Sequence, residues 1–393
     1  MSFITDLVSK NVHEAHVSAI KEMAMLSART AGAVSLAWGL PSFQTPEYIR
    51  HGVKQRLDED IEAGKYTLPD GLPELRELVV ARHKAETGVD THPDENVMIS
   101  AGNMQGLNTL FHTMLDPGDE IILTDPCFAS HIQQIKLFGG TPVYWPLDEA
   151  NDWSLDVEKL PGLITAKTQA IVLVSPSNPT GKIFCKEELI RVAEIAKQHN
   201  ILIIIDDPYS DFVYENRDKY FNLASAEEFS DHIVYMYTFS KAYAMSGWRL
   251  AYMLMPAELK REALKVHDAT MICAPRISQL GAIVALSQPS GHKQEFEAIL
   301  ASRRELIYQR LENVPHVFSN QKPDGAYYMF PKIRAAHTSS KEFAINLLHN
   351  AKVTVTPGSA FGPSGEHHVR MAYCVDEDVI NRAFDRIEKY FSA

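Results

Sequence analysis

The stretch from residue 201 to residue 209 reads Ile-Leu-Ile-Ile-Ile-Asp-Asp-Pro-Tyr. Five consecutive aliphatic residues without alternation are typical of a strand that is covered on both faces. The polar residues Asp206 and Tyr209 follow at its end, and open α/β sheets bind their ligands at the carboxyl ends of the strands. The stretch therefore predicts a central strand of an α/β sheet that leads directly into a functional site.

Apolar runs of the same kind recur on both sides of this stretch. They cover residues 96–100, 120–124, 170–175, 233–238 and 250–255, in addition to the run at 201–206. Stretches with helical spacing lie between most of them, namely residues 104–115, 128–138 and 186–198. Because strands that alternate with helices form parallel sheets, this order predicts a mostly parallel α/β sheet.

The two ends of the chain differ from this middle part. Residues 294–312 have a long charged helical pattern, residues 325–330 are typical of short strands, and residues 376–391 have a terminal helical pattern. The first 45 residues end near the turn-forming sequence Gly39-Leu40-Pro41 and do not fit the sheet. We therefore predict a segment 1–45 that packs with a small α+β domain at 289–393, and a large sheet domain at 46–288.

Length and charge narrow the function classes. The chain has 393 residues, of which 45% are hydrophobic, and its formal net charge is −12. A chain of this size has enough core for an enclosed site, whereas the lack of a Lys and Arg cluster argues against nucleic acid as its main partner. The longest aliphatic run, residues 201–205, is far too short for a membrane helix.

The cysteines and the N-terminus indicate a compartment. Cys127, Cys185, Cys273 and Cys374 include no Cys-x-x-Cys pair, which argues against a zinc cage and against a disulfide framework. The first residues lack the charged-then-apolar pattern of a signal peptide. We expect a cytoplasmic protein and no metal site.

Polar residues follow four of the apolar runs directly, so the predicted sheet brings them to one edge. They are Gly102-Asn103-Met104, Asn178-Pro179-Thr180-Gly181, Asp206 with Tyr209, and Ser240-Lys241. Each alone is compatible with an ordinary turn, helix cap or solvated cation. Together they supply a helix N-terminus for an anion, a hydrogen-bond donor, a buried acid and an amine. This combination predicts a catalytic site rather than four unrelated turns.

These residues carry a family resemblance. Three motifs resemble the signature of the pyridoxal-phosphate-dependent aminotransferases of fold type I, class I/II. They are Ser175-Pro-Ser-Asn178-Pro-Thr-Gly181, Asp206-x-x-Tyr209 and Ser240-Lys241-(x)7-Arg249. Further matches are Tyr66-(x)4-Gly71-(x)3-Leu75-Arg76, Gly39-x-Pro41, Pro357-Gly358-(x)2-Phe361-Gly362 and Arg370, so the resemblance covers nearly the whole chain. It implies a mostly parallel seven-stranded sheet with helices on both faces, a smaller α+β domain from both chain ends, and pyridoxal 5'-phosphate as cofactor.

Lys241, Asp206 and Tyr209 match the catalytic positions of that family. Lys241 is the only residue of the set that can form a Schiff base with an aldehyde, and a desolvated Lys has the lowered pKa that this role needs. Asp206 matches the carboxylate that keeps the cofactor's ring nitrogen protonated. Asp207 is the competing acid, but the spacing to Tyr209 selects Asp206, and strand alternation turns Asp207 away.

The resemblance also implies the remaining cofactor contacts. Tyr209 and Asn178 match the residues that hydrogen-bond the ring oxygen, and Phe128 matches the aromatic residue that stacks on the ring. The phosphate would be bound by the amides of Gly102, Asn103 and Met104, the hydroxyls of Thr238 and Ser240, and the guanidinium of Arg249. Tyr66 resembles a residue that reaches the phosphate of the neighbouring subunit, which implies a homodimer with shared active sites.

Substrate contacts are implied at the chain ends. Arg370 matches the arginine that binds the α-carboxylate of the substrate, with help from the backbone near Gly39 and from Asn178. Met104 stands where an aspartate-specific branch of the family has a Lys. With Trp38 before Gly39, and with Tyr327 close in sequence to the Gly-Ala-aromatic turn of the family, we expect donors with neutral, aromatic or sulfur-containing side chains.

The resulting hypothesis is ping-pong transamination of an L-amino acid with a 2-oxo acid through a Schiff base on Lys241. Two alternatives stay open on the sequence alone. A β-eliminating lyase could use the same cofactor and the same Lys, and an NAD-dependent oxidoreductase could use a similar sheet. The second is disfavoured because no Gly-x-Gly-x-x-Gly motif follows the first strand.

Overall fold

A seven-stranded sheet lies at the centre of the protein. The computed structural model describes residues 3–15, 17–215, 217–288, 290–319 and 321–392. In chain order the strands are β1 (Val34–Ser35), β2 (Val97–Ser100), β3 (Glu120–Asp125), β4 (Thr141–Pro146), β5 (Thr168–Leu173), β6 (Leu202–Asp207), β7 (Ile233–Thr238), β8 (Ala251–Leu254), β9 (Phe318–Ser319), β10 (Tyr328–Met329), β11 (Lys332–Ile333), β12 (Val353–Thr354), β13 (Thr356–Pro357) and β14 (Val369–Ala372).

Helices alternate with the strands of this sheet and dominate both chain ends. In chain order they are α1 (Phe3–Asp6), α2 (Lys10–Glu14), α3 (Ala19–Arg29), α4 (Glu47–Glu59), α5 (Pro73–Thr87), α6 (Pro93–Asn96), α7 (Asn103–Met114), α8 (Ala129–Leu137), α9 (Lys186–His199), α10 (Ala257–Met271), α11 (Arg276–Ser287), α12 (His292–Glu312), α13 (Ser340–Ala351) and α14 (Glu377–Phe391). Within the described part of the chain, every helix is too short or too polar to span a bilayer.

The central sheet has the strand order β2-β8-β7-β6-β5-β3-β4. Strand β8 runs antiparallel to both of its neighbours, and the other adjacent pairs are parallel. The carboxyl ends of β5, β6 and β7 therefore meet at one edge, as parallel strands require. This arrangement confirms the mostly parallel seven-stranded sheet, and six of its strands overlap the apolar runs that predicted them.

Both faces of the sheet are covered. Alternate residues of β6 point into different apolar clusters: Ile203 and Ile205 lie in one, and Ile204 lies in the other. The first cluster includes Leu189 of α9, and the second includes Leu107 of α7. Burying such a side chain contributes about 1.5–3 kcal/mol, so the runs without alternation reflect a sheet that is stabilised from both sides.

The remaining strand of the central sheet, β4, has no counterpart among the predicted apolar runs. Its sequence is Thr-Pro-Val-Tyr-Trp-Pro, and it pairs only with β3, at one edge of the sheet. Proline lacks a backbone N–H and is therefore tolerated at sheet edges and strand ends. Because only Trp145 of its six residues is buried, this strand lacks the apolar signature of the central ones.

The chain ends meet in small sheets outside the central one. Val34 of β1 pairs with Val353 of β12, which joins the N-terminal segment to the C-terminal part. Strands β10, β14 and β13 form an antiparallel sheet, and β9 pairs with β11. Helices α12 and α14 pack against each other beside these strands. The boundaries at 45/46 and 288/289 stay a prediction.

Candidate active site

A cavity of about 240 Å³ opens at the carboxyl ends of the central strands. Its walls include every predicted site residue except Gly102 and Tyr66. The predicted site residues that line the cavity are Trp38, Gly39, Asn103, Met104, Phe128, Asn178, Asp206, Tyr209, Thr238, Ser240, Lys241, Arg249 and Arg370. The walls thus join residues from distant parts of the chain, from Trp38 near its start to Arg370 near its end.

Lys241 lies in the turn after β7, where its side chain reaches into the cavity. Its Nζ donates a hydrogen bond to the carbonyl oxygen of Gly39 at 3.0 Å. The pKa of this amine is lowered to about 8, chiefly by burial; the charges of Arg370 and Arg249 act in the same direction, and Cys374 and Asp206 act against it. An amine with this pKa has a reactive unprotonated fraction near neutral pH.

Asp206 lies near the end of β6, in the cavity wall, and is 5% exposed. Its Oδ1 accepts a hydrogen bond from Asn103 Nδ2 at 2.5 Å, and its Oδ2 lies 2.9 Å from His131 Nε2. Both partners come from helices of the sheet's flanks, α7 and α8. The carboxylate is therefore fixed on one side and presents its remaining surface to the cavity.

Asp207 points to the other face of the sheet, as strand alternation predicts. Its Oδ2 accepts from the hydroxyl of Tyr235 at 2.7 Å, and its Oδ1 accepts from the amide of Ser210 at 2.9 Å. Burial raises the pKa of this carboxyl to about 6. Asp207 does not line the cavity, so of the two adjacent acids only Asp206 faces it.

The groups predicted to bind a phosphate meet where α7 begins. Gly102, the N-cap residue, has φ +85°, a conformation that glycine adopts at little cost. A Cβ at Gly102 would collide with Nη2 of Arg249. The first amides of α7 lack intrahelical partners, and the Thr238 hydroxyl donates to Ser240 Oγ at 2.8 Å nearby. A helix N-terminus, two hydroxyls and a guanidinium together suit a phosphate group.

Arg370 of β14 is a buried cation in another part of the wall, with 2% exposure. Its Nη1 donates to Asn178 Oδ1 at 3.0 Å, and its Nη2 donates to the carbonyl oxygen of Ala37 at 2.7 Å. The guanidinium lies 4.5 Å from the ring centroid of Tyr328 and 4.9 Å from that of Phe361. These contacts fix the planar fork in an orientation that suits a carboxylate.

Two aromatic residues differ in their placement. The ring of Phe128 lines the cavity and contacts the ring of His131 edge to face at 5.3 Å between centroids. Tyr66 lies outside the cavity wall and is 74% exposed. Tyr66 is therefore a surface residue of its own chain and not part of this cavity.

Several wall residues were not identified from the sequence. Ser18, Ile20 and Lys21 of the N-terminal segment contribute to the wall. Lys21 Nζ lies 4.9 Å from the ring centroid of Trp38, and the Trp38 residue is 50% exposed. These N-terminal residues carry no motif that could have placed them in the wall. His131, the partner of Asp206, was also missed, although its spacing of three positions after Phe128 is that of one helix face and could have identified it.

Comparisons with known proteins agree with this geometry. Residues 31–387 match the family described as aminotransferase class I and II. The aspartate aminotransferase of Pyrococcus horikoshii is 36% identical over 95% of this chain and 94% of its own length. The aromatic-amino-acid aminotransferase 2 of Thermococcus litoralis is 33% identical over 97% of each chain. Among solved structures, alanine aminotransferase from Pyrococcus furiosus has a TM-score of 0.91, with 32% identity over 98% of this chain and 99% of its own.

Fold, site and relatives define an enzyme that transfers nitrogenous groups. The chain belongs to the aminotransferase class I and II family, and the transamination predicted from its motifs is confirmed at this level.

Proposed function

We propose that the enzyme uses pyridoxal 5'-phosphate, bound through Lys241, to exchange an amino group between an L-amino acid and a 2-oxo acid in two half-reactions. The observation that carries the proposal is the presence, in one cavity, of the low-pKa amine of Lys241, the buried carboxylate of Asp206 and the guanidinium of Arg370. The amine suits an aldehyde, the carboxylate suits a protonated ring nitrogen, and the guanidinium suits a carboxylate.

The described residues fit this cofactor. Buried polar atoms without hydrogen-bond partners among the residues described include Asn103 Oδ1, His131 Nδ1 and Arg370 Nε. Asn178 uses its Oδ1 for Arg370, which leaves its Nδ2 available to a ring oxygen. A Cβ would intrude at Gly102. When bound, pyridoxal phosphate supplies an aldehyde and a protonated ring that withdraws electrons from the substrate.

Each part of the cofactor has a proposed set of contacts. Asp206 would hold the ring nitrogen, Tyr209 and Asn178 the ring oxygen, and Phe128 the ring face. The phosphate would be held by the amides of Gly102, Asn103 and Met104, by Thr238 and Ser240, and by Arg249.

Two residues then act on the substrate. Arg370 binds the α-carboxylate through its fixed fork, helped by the backbone near Gly39 and by Asn178. With its amine free, Lys241 would act as the base that takes the α-proton of the substrate. A pKa of about 8 lets the same amine return this proton in the reverse half-reaction.

The side-chain pocket supports donors with neutral, aromatic or sulfur-containing side chains. Met104, Trp38, Ile20 and Tyr328 contribute apolar or aromatic surface to the cavity wall. Such surface binds apolar groups because it removes them from water. A donor with a second charged group would have to desolvate that charge against this apolar surface. Among the described wall residues, Lys21 is the one cation without an assigned role that could meet such a charge.

A homodimer with shared sites completes the proposal. Tyr66 is exposed beside Ile61 and Leu68, which are 92% and 57% exposed, and Ile277 is 47% exposed. Gln279 Nε2 donates to Thr67 Oγ1 at 3.1 Å, so the segment around Tyr66 lies against the start of α11. An apolar surface of this kind supports association with a second copy, whose Tyr66 would reach the phosphate.

We also propose a cytoplasmic location. Cys127, Cys185, Cys273 and Cys374 are all free thiols. Reducing compartments keep thiols in this state, whereas secreted proteins commonly cross-link them.

The test is a product analysis of the purified holoenzyme. A panel of amino donors is offered with pyruvate or 2-oxoglutarate, and the new amino acid and 2-oxo acid are quantified together with free ammonia. We expect equimolar exchange without ammonia and no turnover by Lys241→Ala. Ammonia release without an acceptor would support the β-eliminating lyase, and aspartate as clearly the best donor would contradict the pocket assignment.

A further inference from the structure

Tyr328 is a buried tyrosine of the cavity wall to which the proposed function assigns no chemical step. It lies on β10, where it pairs with Ala372 of β14, two residues after Arg370. Its side chain is 2% exposed and lines the cavity together with Tyr209 and Arg370. It therefore touches both a residue assigned to the cofactor and the residue assigned to the substrate carboxylate.

The hydroxyl of Tyr328 contacts the hydroxyl of Tyr209 at 2.8 Å. The two rings stand perpendicular at 5.7 Å between centroids, so the contact is made by the oxygens rather than by stacking. A Cβ at Gly39 would collide with the Tyr328 hydroxyl. The backbone at Gly39 thus leaves space for this hydroxyl, which points to a positioned group rather than a filler.

A phenol has one proton to donate. If Tyr209 gives its proton to the ring oxygen of the cofactor, as the proposed function requires, its oxygen can meet Tyr328 only as an acceptor. Tyr328 must then be the donor. A hydrogen bond received by the oxygen of Tyr209 makes its own hydroxyl a stronger donor, because hydrogen bonds in a chain polarise one another.

The ring of Tyr328 has a separate contact. The Arg370 guanidinium lies 4.5 Å from its centroid, and Phe361 contributes a second ring at 4.9 Å. Cation–π contacts of this kind orient the guanidinium plane. Removing the hydroxyl alone would leave this contact in place.

We propose that Tyr328 is a positioning residue with two separable roles: its hydroxyl directs the proton of Tyr209 onto the ring oxygen of the cofactor, and its ring holds the carboxylate-binding fork of Arg370. This inference rests on the proposed function. Tyr328 thus contacts both Tyr209, which is proposed to bind the cofactor, and Arg370, which is proposed to bind the substrate carboxylate.

The test compares Tyr328→Phe and Tyr328→Leu with the wild-type holoenzyme and with Tyr373→Phe. Tyr373 is a suitable control because it is also buried, while its hydroxyl donates to the carbonyl oxygen of Ala326 and lies outside the cavity wall. The readout is the visible absorbance of the bound cofactor as a function of pH, which reports the proton on the linkage to Lys241. The KM for the amino donor is measured in parallel.

We expect Tyr328→Phe to raise the midpoint of the absorbance titration by about 0.5–1 pH unit. A weaker donor at Tyr209 leaves more electron density on the ring oxygen of the cofactor. The ring oxygen then helps the linkage to Lys241 to keep its proton up to a higher pH. The KM should change less than about threefold in Tyr328→Phe and rise at least about tenfold in Tyr328→Leu, which also loses the ring. Tyr373→Phe should match the wild type in both measurements.

A midpoint in Tyr328→Phe equal to that of the wild type would overturn the role of the hydroxyl. An equal KM in both Tyr328 variants would overturn the role of the ring. If the wild-type protein itself develops no visible band with pyridoxal phosphate, the proposed function fails and this inference fails with it.

Discussion

His131 and Asp206 lie in direct contact at the cavity, with 2.9 Å between His131 Nε2 and Asp206 Oδ2. Both side chains are buried, at 1% and 5% exposure, and they come from α8 and β6. A buried carboxylate requires hydrogen-bond partners to remain charged, and Asn103 provides the second one. The acid proposed to face the cofactor is thus oriented by two side chains from separate helices.

Replacing His131 by Ala should weaken the cofactor site while leaving the fold intact. A hydrogen bond to a charged group contributes about 1.5–3 kcal/mol, so the affinity for pyridoxal phosphate should fall by about 10–100-fold. Equilibrium titration of the apoenzyme measures this loss. His112→Ala is the control, because His112 is exposed on α7 and lies outside the cavity wall. Equal affinity in the two variants would contradict the assignment.

The lowered pKa of Lys241 should appear in the rate of cofactor attachment. Only the unprotonated amine attacks an aldehyde, so the rate constant should rise with pH and level off above a midpoint of about 8. An ordinary lysine would show this midpoint near 10.4. Stopped-flow absorbance between about pH 6 and pH 10 follows the reaction, and Lys241→Ala gives the baseline for non-covalent binding. A midpoint above about 10 would refute the proposed desolvation of this amine.

Arg370→Lys should impair substrate binding although it retains the positive charge. A lysine cannot make both hydrogen bonds, to Asn178 and Ala37, and also present a planar fork. We expect kcat/KM for the amino donor to fall by about 10–100-fold. Arg304→Lys is the matched control, because Arg304 is also buried but binds Pro323 and Glu215 outside the cavity wall. A similar loss of kcat/KM in both variants would indicate a general loss of stability instead.

Lys21 should distinguish between 2-oxo acid acceptors. Lys241, Arg249 and Arg370 have proposed roles, and Lys21 is the remaining cation among the described residues of the cavity wall. Its ammonium, held over Trp38, can reach out to a second carboxylate. We expect Lys21→Ala to raise the KM for 2-oxoglutarate by about 3–10-fold, which is the effect expected from the loss of a partly exposed ion pair. The KM for pyruvate, which has no second carboxylate, should stay unchanged. Parallel changes for both acceptors would exclude this role.

The sequence predicted the parts of the site that lie at strand ends. Asp206 and Lys241 follow apolar runs directly, so their common edge could be inferred without coordinates. The distinction between Asp206 and Asp207 was also accessible, because strand alternation sends neighbouring side chains to opposite faces. In these cases the position along one strand is enough to fix the direction of a side chain.

The residues that the sequence did not reveal depend on contacts between distant elements. Tyr328 meets Tyr209 because the segment before β10 bridges to the segment after Tyr209, at Gly325 and Val213, and Lys21 enters the wall because the N-terminal segment packs there. Strand β4 was missed for a local reason, since its two prolines and partial exposure resemble a loop. A pairing between strands of two residues, such as β10, carries no periodic signal in the sequence.

Gly102→Ala should separate backbone strain from loss of the anion site. At φ +85° and ψ 158°, Gly102 has a conformation that essentially only glycine adopts, so a residue with a Cβ is strained there by about 1–3 kcal/mol. Gly88 has φ +79°, and a Cβ added there would meet no atom within 4 Å, so Gly88→Ala carries the strain without a collision. At Gly102 the new methyl group would push aside the guanidinium of Arg249, which is the charged contact proposed for the phosphate.

Both variants should therefore lose stability in thermal unfolding, Gly102→Ala at least as much as Gly88→Ala, but only Gly102→Ala should lose affinity for pyridoxal phosphate, by about tenfold or more. Titration of each apoenzyme with the cofactor measures this difference, and Gly88→Ala sets the level expected from strain alone. Affinity retained in Gly102→Ala would show that the phosphate is bound elsewhere, because no phosphate contact could then depend on the position of Arg249 beside this helix N-terminus.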